Sequence, residues 1–328
     1  MKAIALPMLL IGLAVATLLV AHYGFAAVGS VFLSIGWGGF LVIVAIHLAV
    51  TAICGLAWFV LVPPAGCPTA WAFIWGRLVR GGGGDVLPLS QLGGLVLGAR
   101  TTSLAGLAGS MSVASTIVDI TVELLSQLAF VAIALAIFIT LSPHSDLWLS
   151  VAGGLAAASV IAFLFIVVQR RASPIVDRLA ASVSRRWAVD AIAVKRGLDH
   201  IYRRRRAMLA SFLLHLAAWI AGAVEIWIAL QFMGQPLGIA AVLAIEGLLC
   251  AARAVAFAVP NAFGVQEGAY VVLGELFGLG PELALGLSLI KRARDLALGV
   301  PALFVWQFVE GWKYWRQPID SRRMRNDG

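Results

Sequence analysis

The stretch "GFLVIVAIHLAVTAICGLAWFVLV", residues 39–62, contains no charged side chain. A helix apolar on every side needs an apolar solvent, and about 20 such residues cross the hydrocarbon core of a bilayer. In lipid an unpaired backbone N–H or C=O costs several kcal/mol, and a helix pairs them internally. The rest of the chain has the same character: 61% of its 328 residues are hydrophobic, 12% are charged, and mean hydropathy is +0.97. A soluble protein of this composition would expose large apolar patches. The expected fold is therefore all-α and polytopic, with residues 1–328 forming a single integral membrane domain.

Further crossings are expected at about 3–22, 118–141, 147–168, 207–231 and 296–312, six in all with 39–62. Lys2 and the run after it resemble a secretory leader, but no small-residue cleavage site follows "AHYG", so the first helix is expected to stay. Loop charge sets orientation. Residues 23–38 and the connector "SPHSD" carry no Lys or Arg, which suits the external side. Segment 169–206 carries eleven Lys/Arg against three Asp, a surplus equal to the chain's whole net charge of +8. It reads as a cytoplasmic segment touching anionic headgroups, and nucleic acid is not an expected partner. Lys313, Arg316, Arg322, Arg323 and Arg325 place the C-terminus, like the N-terminus, in the cytoplasm. "WAFIWGRLVR", 71–80, suits a short helix lying at the cytoplasmic interface.

Residues 86–117 are too apolar for a loop, yet rich in Pro, Gly and Ser. Span 147–168 ends at Arg170–Arg171 on the basic side, so 118–141 starts in the cytoplasm. Residues 86–117 then enter and leave on that side, as a re-entrant helical hairpin turning near Arg100–Ser103. "RGGGGD", 80–85, reads as a flexible hinge before it. Residues 237–279 are two apolar pieces broken at Pro260–Gly264, and the count of crossings makes them a second hairpin, opening from outside. Residues 282–295 then lead to the last span. Hairpins opening from opposite faces imply an inverted repeat, which places a site near the midplane where broken helices meet. "LPLSQLGGLVLGA" and "VPNAFGVQEGAY" echo each other faintly, each with a proline followed by a glycine. Each segment also carries a GxxxG, Gly94–Gly98 and Gly264–Gly268, a spacing that lets helices approach closely.

Intramembrane charge is the informative signal, at roughly 2.5 kcal/mol or more per residue at the bilayer centre. Asp119 and Glu123 stand i, i+4 and share one helix face, as do Lys291 and Asp295, with Arg294 beside them. Glu246 and Arg253, seven apart, also share a face. Glu267 follows the broken turn, and Arg292 points elsewhere on its helix. Such residues must pair or face water. One arrangement is structural, with Lys291–Asp295 and Glu246–Arg253 as pairs. The other is a wet cavity lined by Arg253, Arg292 and Arg294, with Glu267 as counter-charge, suited to an anionic or polyhydroxyl headgroup. Backbone N–H groups freed after Pro260 and Gly264 would add a positive helix end. Gln91 and Asn261, in the echoing segments, complete the candidate set.

Soluble-enzyme motifs are absent: no GxSxG, GxxxxGK[ST] or HExxH occurs. Cys54, Cys67 and Cys250 lie far apart without a CxxC, and the five histidines lack metal-ligand spacing. His47 and His215, inside spans, read as packing residues. No metal and no cofactor is expected.

"VPNAFGVQEGAYVVLGELFGLGPELALGLSLIKRARDLALGVPALFVWQ" resembles the lysylphosphatidylglycerol synthase transmembrane-region, or flippase-like, family. "LPLSQLGG" and "ASTIVDITVELLSQLAF" bring it closer to the hopanoid-biosynthesis-associated, HpnL-like branch. The resemblance covers nearly the whole chain. It implies a bacterial inner-membrane protein that moves or handles lipids, with Gly264–Glu267 on the family's Gly-x-x-Glu and Arg294 on its downstream arginine. The family's common Pro-x-Pro-Gly-Gly break is "PNAFG" here. The soluble synthase domain fused in aminoacyl-lipid members is not in this sequence, so catalysis is not expected of it. The expected function is a lipid flippase acting on a hopanoid-related lipid or an anionic phospholipid. A membrane-embedded lipid transferase and a scaffold for hopanoid-synthesis enzymes are the alternatives. Such enzymes and a second copy of the chain are the protein partners left open.

Overall fold

The computed structural model describes residues 33–86, 90–141, 191–256 and 259–315 except residue 65, with a few single positions between 18 and 159. Every regular element among them is helical: α1 (Gly36–Leu61), α2 (Ala70–Val86), α3 (Ser90–Leu104), α4 (Gly109–Leu141), α5 (Ala191–Arg203), α6 (Arg205–Phe232), α7 (Ile239–Val255), a 3-10 turn (Pro260–Ala262), α8 (Val265–Leu276) and α9 (Pro281–Trp315). α1, α4 and α6 are long and apolar enough to cross a membrane. The spans expected at 3–22 and 147–168, most of the basic segment up to residue 190 and the C-terminal tail lie outside the described residues, as does the side chain of Gln91.

Paired ends give the helix directions. Arg204, just before α6, donates to the carbonyls of Val60 (3.4 Å) and Leu61 (2.8 Å) at the end of α1. At the other end Gly39 lies against Phe232. α1 and α6 are therefore antiparallel. α2 and α3 form a tight antiparallel hairpin: the position of a Cβ on Gly94 is 2.4 Å from the Arg80 carbonyl oxygen, and on Gly98 it is 3.2 Å from the Arg80 Cβ. Leu107, in the turn into α4, packs with Trp58, Val62 and Phe73, and Trp58 donates to Ser115 at 3.1 Å. That turn therefore sits at the root of the hairpin, beside the end of α1.

The second half repeats this order. α6 leads to α7, which breaks at 256–264 and returns as α8, whose Tyr270 meets Glu246 of α7. α9 runs back along α8, with Ala284 near Gly274 and Ser288 beside Glu267. Long helix, paired short helices, long helix thus occurs twice, and the helices that open the two sets, α1 and α6, run antiparallel. The main core gathers α1, α4, α6, α7, α8 and α9 around fully buried Ile43, Phe138, Leu230 and Tyr270. α5 buries Val194, Leu198 and Ile201 against α4 and the end of α1, and exposes Lys195, Arg196 and Asp199.

Several expectations need correction. The first hairpin is not 86–117 turning near Arg100–Ser103: the chain reverses between Val86 and Ser90, and its legs are α2 and α3. Residues 109–117 belong to α4, one continuous helix of 33 residues. "WAFIWGRLVR" is a hairpin leg rather than a separate surface helix, and "RGGGGD" is helical rather than a hinge. Its glycines are there for close approach: a Cβ on Gly82 would stand 2.8 Å from Gly299 Cα of α9. Tight packing supplies what glycine's weak helix propensity withholds. Gly94–Gly98 is such a contact too, but Gly264–Gly268 is not, since Gly264 starts a helix and a Cβ on Gly268 would meet nothing within 4 Å. Residues 282–295 and 296–312 are one helix, α9, continuous through Pro301.

Candidate functional site

Buried charges gather where the two hairpins approach α6 and α9. On α2, Arg77 and Arg80 stand i, i+3 and so face the same way. Arg77 grips Glu123 of α4 with both amino groups, at 2.7 and 2.5 Å. Arg80 spans Asp119 and Glu123, at 2.7 Å to each. His215 of α6 closes the far side of Asp119 at 3.0 Å. Asp119 is fully buried, and three partners around one carboxylate pair are what a charge at that depth requires.

α9 carries the second set. Lys291 donates to Glu246 and to the Tyr270 hydroxyl, each at 2.7 Å, and Tyr270 donates to Glu246. Arg294 bonds Asp295 at 2.6 Å and Glu225 of α6, whose other oxygen lies 2.9 Å from His47 Nδ1 of α1. Arg292 turns to the break, donating to Glu267 at 2.6 and 3.2 Å, with its guanidinium 4.1 Å above the Phe263 ring.

The break is held by Glu267. Its carboxylate accepts the Gly264 N–H at 2.8 Å and the Ser288 hydroxyl at 3.1 Å, one half of a capping box. Gln266 donates to the same hydroxyl at 2.9 Å. Asn261 and Ala262 lie in the left-handed region, with φ of 49° and 48°, a conformation that asparagine tolerates and alanine does not favour. The Asn261 amide donates to the Asp85 carbonyl at 3.3 Å, so the tips of the two hairpins touch.

A cavity of about 540 Å³ opens at this meeting point, between α2, α4, α6, α7 and α9. Phe130 and Trp219, stacked at 6.2 Å, form part of its wall. An adjoining space of about 200 Å³ shares His47, Arg77, Asp85 and Glu123 with it. Five cationic side chains (Arg77, Arg80, Arg253, Lys291, Arg294) and four carboxylates (Asp85, Glu123, Glu225, Glu246) line the larger space. No group of three or more His, Cys, Asp and Glu placed to hold a metal occurs among the described residues.

The family model described as the lysylphosphatidylglycerol synthase TM region matches residues 4–302. The chain belongs to this family. No curated protein and no solved structure matches it. Family membership and the three bilayer-length helices make it a multi-pass membrane protein of lipid metabolism or transport.

In this member of the lysylphosphatidylglycerol synthase TM family, the expected residues divide into two groups. Glu123, Glu246, Arg253, Asn261, Lys291 and Arg294 line the cavity. Asp119 sits behind Arg80, while Glu267 and Arg292 pair with each other away from the cavity, so neither serves as its counter-charge or wall. Arg292 does point away from Lys291, Arg294 and Asp295, toward Glu267 on α8. The pairings are also exchanged. Lys291 takes Glu246 and Arg294 takes Asp295, so neither Lys291–Asp295 nor Glu246–Arg253 forms. Lys291 finds its anion on α7, and Arg294 is shared between Asp295 beside it and Glu225 of α6. The Gly264 N–H is not left exposed, because Glu267 takes it. Pro260 and Gly264 bound the break itself.

Arg77, Arg80, Asp85, Glu225, His47 and His215 were not among the expected site residues. Arg77 and Arg80 look like interfacial anchors beside Trp71 and Trp75, and the two histidines look like packing residues. A carboxylate inside a long apolar run, Glu225 above all as the lone one in α6, is the signal that points to buried partners.

Proposed function

We propose that the chain is a lipid flippase, with the headgroup crossing through the polar cavity while the acyl or ring system stays in the bilayer. On this reading six helices span the bacterial inner membrane with both termini cytoplasmic. The hairpins α2–α3 and α7–α8 dip in from the cytoplasmic and external faces and meet at the midplane. The observation that carries the reading is a cavity ringed by charge at the contact of two inverted hairpins, enclosed by helices of bilayer length. A headgroup in hydrocarbon loses its hydration, and that loss dominates the barrier to crossing. Fixed, already paired charges around a wet space replace part of that hydration. The substrate is a hopanoid-related lipid or a phospholipid, as the hopanoid-associated resemblance suggests, and it leaves covalently unchanged.

Purified protein in liposomes carrying headgroup-labelled lipids tests this. Accelerated loss of the protected inner-leaflet signal is expected, with slowing in Arg294→Ala and Glu246→Gln, both in the cavity wall, and lipid of unchanged mass is recovered. Translocation no faster than in protein-free vesicles, or both variants matching the unaltered protein, defeats the proposal. Product of altered mass made from lipid plus a donor favours a transferase. A phenotype that follows the basic segment 169–206 and ignores the intramembrane charges favours a scaffold.

A further inference from the structure

Two charges in the cavity stand apart from the rest. Arg77, Arg80, Lys291, Arg294, Glu123, Glu225 and Glu246 all have an opposite partner within hydrogen-bonding distance. Arg253, near the end of α7, makes no hydrogen bond and no ion pair among the described residues, although it lines the cavity and is partly buried. Asp85, at the tip of α2, has a carboxylate in the same state: only its backbone carbonyl is engaged, by Asn261. They belong to opposite hairpins, face one space, and form no ion pair with each other among the described residues. A partly buried charge without a partner is costly. A cation and an anion held apart across a wet gap are complementary to a molecule carrying both signs.

We infer that the cavity binds a zwitterionic headgroup, with a phosphate at Arg253 and a primary amine at Asp85. This rests on the lipid-moving reading and narrows its substrate from a hopanoid-related lipid or any phospholipid to a lipid whose headgroup holds an amine and a phosphate a few bonds apart. The guanidinium offers forked donors that match two phosphate oxygens. The carboxylate accepts from an ammonium group, which has three donors and no acceptor. A space of about 540 Å³ is within the range of small-molecule sites. Both residues sit at hairpin tips, so a bound headgroup would bridge the two halves where they otherwise share the Asn261–Asp85 contact.

The test uses the full chain in nanodiscs and three lipids with identical acyl chains: phosphatidylethanolamine, its N-acetylated form and phosphatidylglycerol. Binding is read by native mass spectrometry, independently of translocation. Asp85→Asn is expected to weaken phosphatidylethanolamine binding by roughly tenfold, while leaving the two amine-free lipids within about twofold. Arg253→Gln is expected to weaken all three, and Arg253→Lys to restore much of the loss. Elution as a single species shows that each variant folds. Asp85→Asn weakening all three lipids equally, or none, overturns the assignment, as does Arg253→Gln without effect. Phosphoethanolamine without acyl chains distinguishes a lipid from a soluble ligand. Binding roughly tenfold weaker than the lipid supports the proposal, and equal binding overturns its lipid part. Charge-dependent binding without translocation would sink the flippase reading and leave this subsite standing. Translocation indifferent to Asp85 and Arg253 would do the reverse.

Discussion

The two hairpins solve one problem by different means. On the proposed topology each folds back on itself at a depth where stray backbone groups are expensive. α2–α3 does so with small residues: Gly83, Gly84 and Gly94 bring the backbones of its two legs into contact. α7–α8 does so with side-chain hydrogen bonds: Glu267 gathers Gly264, Ser288 and Arg292, and a left-handed pair lets the chain turn. A packed hairpin is expected to fail when atoms are added, and a braced one when charge is removed.

Removing the brace should have the largest effect. Glu267→Ala leaves Arg292 buried without its anion and is expected to destabilise by about 3–5 kcal/mol, read as unfolding midpoint in mixed micelles. Adding Arg292→Gln should recover part of that loss, and no recovery would mean the pair is not the brace. Next comes Gly94→Ala, expected to destabilise by about 1–3 kcal/mol because the new Cβ meets the Arg80 carbonyl. Gly93→Ala, one residue away and with nothing within 4 Å of its Cβ, is expected to go the other way, by about 0.5–1 kcal/mol. Equal effects at the two positions would refute close packing. Ser288→Ala removes the hydroxyl shared by Gln266 and Glu267 and should destabilise by about 1–3 kcal/mol. The smallest effect is expected at Arg100, whose bond to Glu310 is one-third exposed. Arg100→Ala should cost about 0.2–1 kcal/mol, less in high salt.

The sequence made the second hairpin legible and the first only in outline. Pro260, Asn261 and Gly264 interrupt an apolar run, and that interruption marks the turn directly. In the first hairpin the equivalent signal was Pro88, in the segment that joins α2 to α3. Counting apolar residues drew attention instead to Arg100–Ser103, which α3 continues through. The run Gly81–Gly84 of α2 looks mobile in isolation because the contacts of Gly82 with Gly299, and of Gly83 and Gly84 with Gly94, lie more than 200 and about 10 residues away. The ionic site followed the same rule. Charges in apolar runs announced that partners must exist, but periodicity names only same-helix partners. The chosen ones, Arg80 for Asp119 and Lys291 for Glu246, lie on other helices. Asp85 was missed because it stood at the end of what looked like a loop.

The Asn261–Asp85 hydrogen bond has a mechanical consequence. It is the polar stitch between two units that otherwise pack little against each other among the described residues. Each unit is anchored far more firmly elsewhere, α2 to α4 by paired arginines and α8 to α9 by Glu267. A neutral hydrogen bond contributes only about 1 kcal/mol, close to thermal energy. Agitation would thus tend to part the two hairpin tips first, while the long helices around them stay packed in their common core.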